Sequence, residues 1–194
     1  MKLIPHQNTG LNTYAAGNIR TRWATSSDLP ALKNLINRSI DALQVGFLTP
    51  EQIIASHAVM GLDTQLVEDG SYLIAEYDGV LAGCGGWSKR ATLYGGDHSS
   101  DLRDPILLNP ERDPARIRAM YTDPAFTRKG IGSLILKQCE QAAADHGFRT
   151  AELMATLSGE PLYIASGYYP LERVEATGDG VNVPLIRMQK KLKL

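Results

Sequence analysis

The chain has 194 residues, 43% of them hydrophobic, and a formal net charge of −1. This length is typical of one domain with a full core, and the nearly balanced charge disfavours a large nucleic-acid interface. No stretch approaches the roughly 20 apolar residues of a membrane span, and residues 1–20 lack the apolar core of a signal peptide. We therefore expect a cytoplasmic protein that binds neither membrane nor nucleic acid. The two cysteines, Cys84 and Cys139, have no partner motif and are expected to be reduced and buried.

The first segment, residues 1–18, is polar and rich in Gly and Asn without periodicity. This composition predicts a partly disordered extension before a domain that spans 19–194. Alternating residues over 19–24 predict a first strand. Thr25 and Asp28 have the spacing of a capping box, and the leucines and isoleucines behind them follow a helical period.

A second helix is predicted to begin at Pro50, because proline is favoured at the first helical position. The link between the two helices, residues 44–48, contains Val45 and Phe47 and is too apolar for an idle linker. It either forms the wall of a pocket or packs on the core, and the sequence favours neither.

Residues 61–70 are predicted to be a polar connection. Strands are expected over 71–76 and 80–87, joined by an Asp-Gly hairpin turn that begins at Asp78. The glycine-rich run 83–86 is unusual in a strand. It indicates either a bulge or a strand that faces a ligand.

A long polar stretch, residues 88–115, follows this hairpin. A loop of this length inside a domain is usually functional or disordered. His98 lies beside Asp97, but no second histidine is placed to complete a metal site, so no metal is predicted.

The stretch from Arg128 to Ser133 lies between a predicted strand, 117–122, and a helical run that ends near His146. Its two glycines permit a tight turn, and the helix behind them points free N–H groups into that turn, which is typical of a phosphate site. A P-loop is excluded because the lysine precedes the glycine, and a dinucleotide loop lacks its third glycine.

The rest of the chain continues the alternation of strands and helices. Residues 149–155 are predicted to be a strand. A short helix is predicted with Ser158 as its N-cap and with Gly167 ending it. Two final strands are predicted over 168–174 and 183–191.

Three motifs in order resemble the GNAT acetyltransferase superfamily. The family's pyrophosphate loop reads Gln/Arg-x-x-Gly-x-Gly/Ala, and Thr127-Arg128-Lys129-Gly130-Ile131-Gly132 matches its glycines with Thr in the first place. The preceding Met120-Tyr121-Thr122-Asp123-Pro124 and the later Leu162-Tyr163-Ile164-Ala165-Ser166-Gly167-Tyr168 match two further family motifs. The resemblance implies an α/β (α+β) GNAT fold, with a central mixed, mostly antiparallel twisted sheet of about six to seven strands and about four flanking helices.

The resemblance also implies acetyl-CoA as the acyl donor, without a metal. In this family the pantetheine arm pairs with the strand before the loop, and the pyrophosphate lies on the loop itself. The residues in these positions are Met120, Tyr121 and Thr122 on the strand, and Arg128, Lys129, Gly130, Ile131, Gly132 and Ser133 in the loop.

The implied reaction is acetyl transfer to a primary amine by direct attack in a ternary complex. A backbone N–H at Thr122 would stabilise the oxyanion, and Tyr163 matches the family's tyrosine that protonates the leaving thiolate. The general base stays open: the predicted strand has no carboxylate, and the candidates are Asp123, Glu111, Asp97 and His98. Direct attack by the neutral fraction of the amine would need no base.

A small-molecule acceptor is favoured because Val45 and Phe47 would wall the acceptor side with apolar groups. The acidic residues of the long loop would attract a cationic amine or would simply be solvated. The alternative function is a non-catalytic acyl-CoA-binding or sensing domain. Family members are often dimers, so the resemblance also implies a homodimer.

Overall fold

A single sheet organises residues 18–99 and 102–193, the ranges that the computed structural model describes. Within them, seven strands lie in the order β1-β2-β3-β4-β5-β7-β6. The strands are β1 Ile19–Trp23, β2 Tyr72–Tyr77, β3 Val80–Ser88, β4 Ala115–Thr122, β5 Thr150–Thr156, β6 Tyr169–Gly178 and β7 Val181–Lys191. Only β4 and β5 pair in parallel, so the predicted mixed and mostly antiparallel sheet is confirmed.

Five α-helices are present in the described ranges. They are α1 Leu29–Leu43, α2 Pro50–Val59, α3 Thr64–Glu68, α4 Ile131–Asp145 and α5 Glu160–Ala165. The capping box of Thr25 and Asp28 is present before α1, and Pro50 opens α2 as predicted. Helix α3 was not predicted, because its one fully buried apolar residue, Leu66, gives no helical period.

The helix near the C-terminal end begins slightly later than predicted. Glu160 is its first residue and Gly159 its N-cap, so the prediction of Ser158 as N-cap is wrong. The Ser158 hydroxyl instead lies within hydrogen-bond distance of Thr156 Oγ1 and donates to Gln44 Oε1. Gly167 follows the helix with φ +91°, as expected of a terminating glycine.

Two hydrophobic layers cover the sheet, one on each face. Alternate residues of β2 divide between them: Leu73 belongs to the layer with α4, and Ile74 to the layer with α1. Since successive side chains of a strand point to opposite faces, α1 and α4 lie on opposite sides of the sheet. Cys84 and Cys139 are free, fully buried thiols within these layers.

The glycine-rich run in β3 serves helix packing. A Cβ atom at Gly83 would lie 2.7 Å from Ile131 Cγ2, and one at Gly85 would overlap Met120 Sδ of β4 and lie 2.8 Å from Ile135 Cγ2. Side chains at these positions would push α4 off the sheet. Neither glycine lines the cavity described below, so the alternative that this run faces a ligand finds no support.

Asn18, the first described residue, is bonded to the turn between β2 and β3. Its N–H donates to Asp78 Oδ1 and its carbonyl accepts from Asp78 N–H. Residues 1–17 of the predicted extension lie outside the described residues. None of the described helices is long and apolar enough to cross a membrane.

Candidate active site

Strands β4 and β5 separate partway along their length. They pair at only three positions, the last being Ile117 with Leu153. Beyond that point the strands diverge and a cavity of about 830 Å³ opens, lined by β4 up to Thr122 and by Met154 and Thr156 of β5. A gap between two parallel strands leaves backbone groups available to a ligand.

A bulge in β4 accompanies this separation. Cys84 of β3 pairs with Tyr121, and Gly86 pairs with Arg118, so β4 has one more residue than β3 over the same interval. Ala119 within the bulge has φ +50°, an uncommon value for a residue other than glycine. The fully buried Tyr72 hydroxyl donates to the Ala119 carbonyl at 3.1 Å, which holds this conformation in place.

The backbone of Thr122 faces the gap. Thr122 pairs with Gly83, while the next residue, Asp123, donates its N–H to the Ala82 carbonyl at 2.9 Å. Because the N–H and C=O groups of successive strand residues alternate in direction, those of Thr122 point away from β3 and towards the open side. This donor is correctly oriented for an anionic oxygen in the cavity.

The loop before α4 forms one end of the cavity, which we call the loop end (residues 126–133). Arg128 and Gly130 have φ +62° and +80°, and Gly130 is the N-cap of α4. The first bond between the turn and the helix is donated by Leu134 N–H to the Gly130 carbonyl at 3.0 Å. The N–H groups of the three preceding residues are therefore available, and the helix dipole adds positive potential there.

The predicted loop residues have different positions relative to the cavity. The lining includes Arg128, Gly130, Ile131, Gly132 and Ser133. A Cβ atom at Gly132 would lie 3.2 Å from Leu162 Cδ2, so glycine keeps the space beside α5 open. Lys129 does not line the cavity, because its ammonium lies 4.8 Å from the centre of the Tyr77 ring.

Tyr163 of α5 reaches the cavity between the two strands. The residue is 7% exposed and packs edge-on against Tyr168, with ring centroids 5.8 Å apart. Its hydroxyl makes no hydrogen bond within residues 18–99 and 102–193, and the residue lines the cavity. Burial raises the pKa of Tyr163 above its ordinary value, so the hydroxyl stays protonated at neutral pH.

The opposite end of the cavity, the far end, is formed by residues from four segments: Gln44 and Phe47, Val59 and Met60, Leu93 to Gly95, and Arg118. Of the two predicted acceptor residues, Phe47 lies in this wall. Val45 is 65% exposed and does not line the cavity.

The long loop contributes to the far end because hydrogen bonds and an ion pair hold it against α3 and the residues next to it. Asp97 N–H donates to the Leu62 carbonyl at 2.8 Å, and Thr64 Oγ1 donates to Asp97 Oδ1 at 2.9 Å. Arg90 adds an ion pair with Asp69 at 2.7 Å. These contacts hold Tyr94 and Gly95 against the cavity, so this part of the loop is an ordered wall.

A buried ion pair, Arg118 with Asp63, lies behind the far end. Arg118 Nη2 is 2.6 Å from Asp63 Oδ2 and also donates to the Gly95 carbonyl at 3.2 Å. Burial lowers the pKa of Arg118 and raises the pKa of Asp63, while each charge opposes the shift of the other. The ion pair therefore holds a guanidinium at the cavity wall. This guanidinium lies on β4, a strand that contains no carboxylate.

The four candidate bases lie outside the cavity lining. Asp123 is paired with Arg38 and accepts the Ala125 N–H, which also caps the turn before the loop. Asp97 is paired with Arg103 at 2.7 Å, and Glu111 is exposed. The His98 ring packs against Gly61, where an added Cβ would lie 2.7 Å from it. Among the described residues, no Asp, Glu or His lines the cavity.

Sequence reasoning expected the link after α1 and the long loop to wall the acceptor side, but it did not identify the individual loop residues that do so. Tyr94, Gly95 and the partner of Arg118 come from segments that have no periodic pattern and no motif. One available signal was the presence of two arginines, Arg116 and Arg118, in the predominantly apolar strand β4, since a buried guanidinium requires an anionic partner.

A sheet that opens at a β4 bulge, with free helix N–H groups at one end of the gap, defines a protein that binds an anionic, extended ligand between its strands. Residues 38–166 match the model of the Acetyltransferase (GNAT) family. This match covers more than half of the chain, which therefore belongs to the GNAT acetyltransferase family.

Solved structures share this fold. A GCN5-related N-acetyltransferase from Rhodopseudomonas palustris has a TM-score of 0.66 at 18% identity, over 94% of this chain and 100% of that one. PaiA N-acetyltransferase from Thermoplasma acidophilum, solved with coenzyme A, has a TM-score of 0.60 at 18% identity, over 90% and 99%. YncA from Salmonella typhimurium, solved with its cofactor acetyl-CoA, has 0.58 at 17%, over 90% and 94%.

Proposed function

We propose that this protein transfers the acetyl group of acetyl-CoA to the primary amine of a small molecule, by direct attack in a ternary complex. One observation carries the proposal: the Thr122 backbone and the Tyr163 hydroxyl face the same gap, whose end is the glycine loop before α4. These are a hydrogen-bond donor for an oxyanion, a proton donor and a phosphate cradle, which are the groups that acetyl transfer from CoA requires.

The donor would lie between β4 and β5. Its pyrophosphate would accept hydrogen bonds from the N–H groups at the start of α4, and its pantetheine amides would pair with the open edge of β4. The side chain of Arg128 is exposed at the loop end and adds positive charge. In this placement the thioester carbonyl approaches the Thr122 N–H.

In this reaction one carbon–nitrogen bond forms, one carbon–sulfur bond breaks and two protons are transferred. The amine lone pair forms a bond to the thioester carbon, and the carbonyl oxygen becomes an anion that the Thr122 N–H stabilises. Collapse of this intermediate breaks the carbon–sulfur bond and releases the CoA thiolate. Tyr163 gives its proton to the sulfur, and the proton lost by the nitrogen restores the tyrosine.

The proton balance explains why no separate base is required. On reference values, transfer from tyrosine (pKa about 10) to a thiolate (about 8.5) is uphill by about 2 kcal/mol, and burial of Tyr163 increases this difference. The attacking nitrogen is cationic after attack and is a much stronger acid. Since a buried phenolate is a strong base, the two transfers together are favourable.

A small acceptor is supported by the concave, apolar far end. Phe47, Met60 and Tyr94 line it with apolar surface, and the ordered part of the long loop covers it. Small-molecule sites are typically concave and apolar, with few polar groups.

Calorimetry with acetyl-CoA tests the donor site. Gly130 and Gly180 both have φ +80° and nothing within 4 Å of an added Cβ, but only Gly130 lines the cavity. Alanine at either position costs about 1–2 kcal/mol of stability through backbone strain. We expect Gly130→Ala alone to weaken acetyl-CoA binding, by about tenfold.

Each contrary result removes a different part of the proposal. Absence of acetyl-CoA binding by the wild type would refute the donor. Equal affinity in Gly130→Ala and Gly180→Ala would refute the placement of the pyrophosphate on this loop.

A second function, acyl-CoA binding without transfer, is favoured by the lack of a carboxylate at the cavity. Measurement of CoA release with a broad amine panel separates the two, because a sensing domain releases none above the rate without amine. The amine panel is therefore the decisive assay for catalysis.

A further inference from the structure

The charge of the cavity limits which amines can enter it. Of the described residues that line the cavity, only Arg118 and Arg128 carry a charge, and Arg128 belongs to the loop end. The far end therefore offers a cation and no anion. An ammonium group would lose its hydration there without a free carboxylate partner, since Asp63 is already paired with Arg118, and it has no acceptor for the guanidinium N–H groups.

The acidic residues that could attract a cation are turned to other partners. Asp97 accepts from Thr64 and pairs with Arg103, and Asp104 accepts the Ile106 N–H. Asp63 is fully buried and pairs with Arg118. None of these carboxylates lines the cavity, so none is placed to bind the positive charge of a polyamine there.

The Arg118 guanidinium has N–H groups that form no hydrogen bond within the described residues. Its side chain is 3% exposed, and both the ion pair with Asp63 and the hydrogen bond to the Gly95 carbonyl use Nη2. Within the described parts of the chain neither Nε nor Nη1 has a hydrogen-bond partner, but Nε is fully buried, so Nη1 is the donor that can serve a ligand. A guanidinium with free N–H groups at an apolar wall matches the oxygen of a carboxylate or an amide.

From these contacts we propose that the acceptor is an amino acid or amino-acid amide, whose amine enters uncharged and whose carbonyl oxygen is bound by Arg118. The inference rests on the acetyl transfer proposed above and names the class of its acceptor. Arg118 is then a specificity-determining residue, and polyamines are disfavoured because the described lining offers their ammonium groups no carboxylate.

Four acceptors test this assignment when CoA release from acetyl-CoA is measured. Tyrosine, tyrosinamide and tyramine share one side chain and differ only in the group beside the amine, and spermidine is the polyamine. We expect kcat/KM for tyrosine or tyrosinamide to exceed that for tyramine by about tenfold, the factor that one hydrogen bond to a charged group supplies. Spermidine should be the poorest.

The acceptors differ in the basicity of their amines, but this difference is the same for the wild type and for Arg118→Lys. A change of preference in this variant therefore reports the role of the guanidinium. This variant keeps a charge opposite Asp63. Arg116→Lys is the matched control, because Arg116 also lies on β4 in a buried ion pair, 2.6 Å from Glu152, but does not line the cavity. The preference for the tyrosine compounds over tyramine should fall severalfold in Arg118→Lys only, with acetyl-CoA affinity unchanged in both variants.

The outcomes are distinct. Equal or better activity with tyramine or spermidine overturns this assignment and leaves acetyl transfer standing, even if Arg118→Lys fails to fold. An unchanged preference in folded Arg118→Lys removes the role of Arg118. Release with none of a broad amine panel overturns acetyl transfer itself.

Discussion

The two ends of the cavity are built in different ways. The loop end uses backbone N–H groups from consecutive residues, with Gly130 and Gly132 keeping the approach open. The far end uses side chains from four separate segments, including Phe47, Tyr94 and Arg118. A donor common to many enzymes can be bound by a backbone motif, whereas an acceptor has to be recognised by particular side chains.

This difference has a consequence for prediction. A backbone cradle requires glycines and a helix start at fixed spacing, so it leaves a local pattern in the sequence. Side chains that meet only in the folded state leave no such pattern. The donor could be predicted from the sequence for this reason, whereas the acceptor class that we propose rests on the side chains of the cavity.

The largest effect is expected where the two ends meet, at Tyr163. Removal of its hydroxyl in Tyr163→Phe should lower kcat about 100-fold, as general acid–base catalysis typically contributes. Acetyl-CoA affinity, measured by calorimetry, should stay within about twofold, because the ring and its packing remain.

Tyr168→Phe is the control for this change. Tyr168 lies against Tyr163, but its hydroxyl is buried outside the cavity. Its loss should leave kcat nearly unchanged. Equal losses in both variants would show that packing, and not proton transfer, explains the effect.

A moderate effect is expected at the far end. Phe47→Ala removes an aromatic wall and should raise KM for the acceptor about fivefold, without change in the acetyl-CoA KM. Val45→Ala is the matched control, since both side chains are exposed in the same link and only Phe47 lines the cavity. A change in the acetyl-CoA KM alone would contradict the division of the cavity into two ends.

The smallest effect is expected for a candidate base that lies outside the cavity. Glu111 is exposed and does not line the cavity, so Glu111→Gln should leave kcat/KM within about twofold at every pH from 6 to 9. A loss above tenfold that grows towards low pH would restore Glu111 as the general base.

Much of the fold followed from hydrophobic periodicity and turn residues. The hairpin at Asp78 and Gly79 has φ values of +50° and +82°, as its Asp-Gly sequence indicates. Helix α3 was missed because it is too short for a period. The position of the bulge at Ala119 was not predicted, because the Tyr72 hydroxyl that bonds to its carbonyl lies on another strand.

The candidate site divides in the same way. The glycine loop and Tyr163 lie in contiguous motifs, and the structure brings both to the cavity. The pairing of Arg118 with Asp63 joins distant parts of the chain, and no local rule connects them. Lys129 illustrates the reverse case, because a basic residue inside the motif has its ammonium against the Tyr77 ring instead of at the cavity.

The two buried cysteines have a practical consequence. Burial raises the pKa of the Cys84 thiol to about 12 and that of Cys139 well above its usual range, and both side chains have no exposed surface. Since only exposed thiolates react with disulfide reagents, the thiols of the folded protein should not react with them. Coenzyme A released during turnover can therefore be titrated continuously with such a reagent, and any slow reaction of the protein itself would report its unfolding.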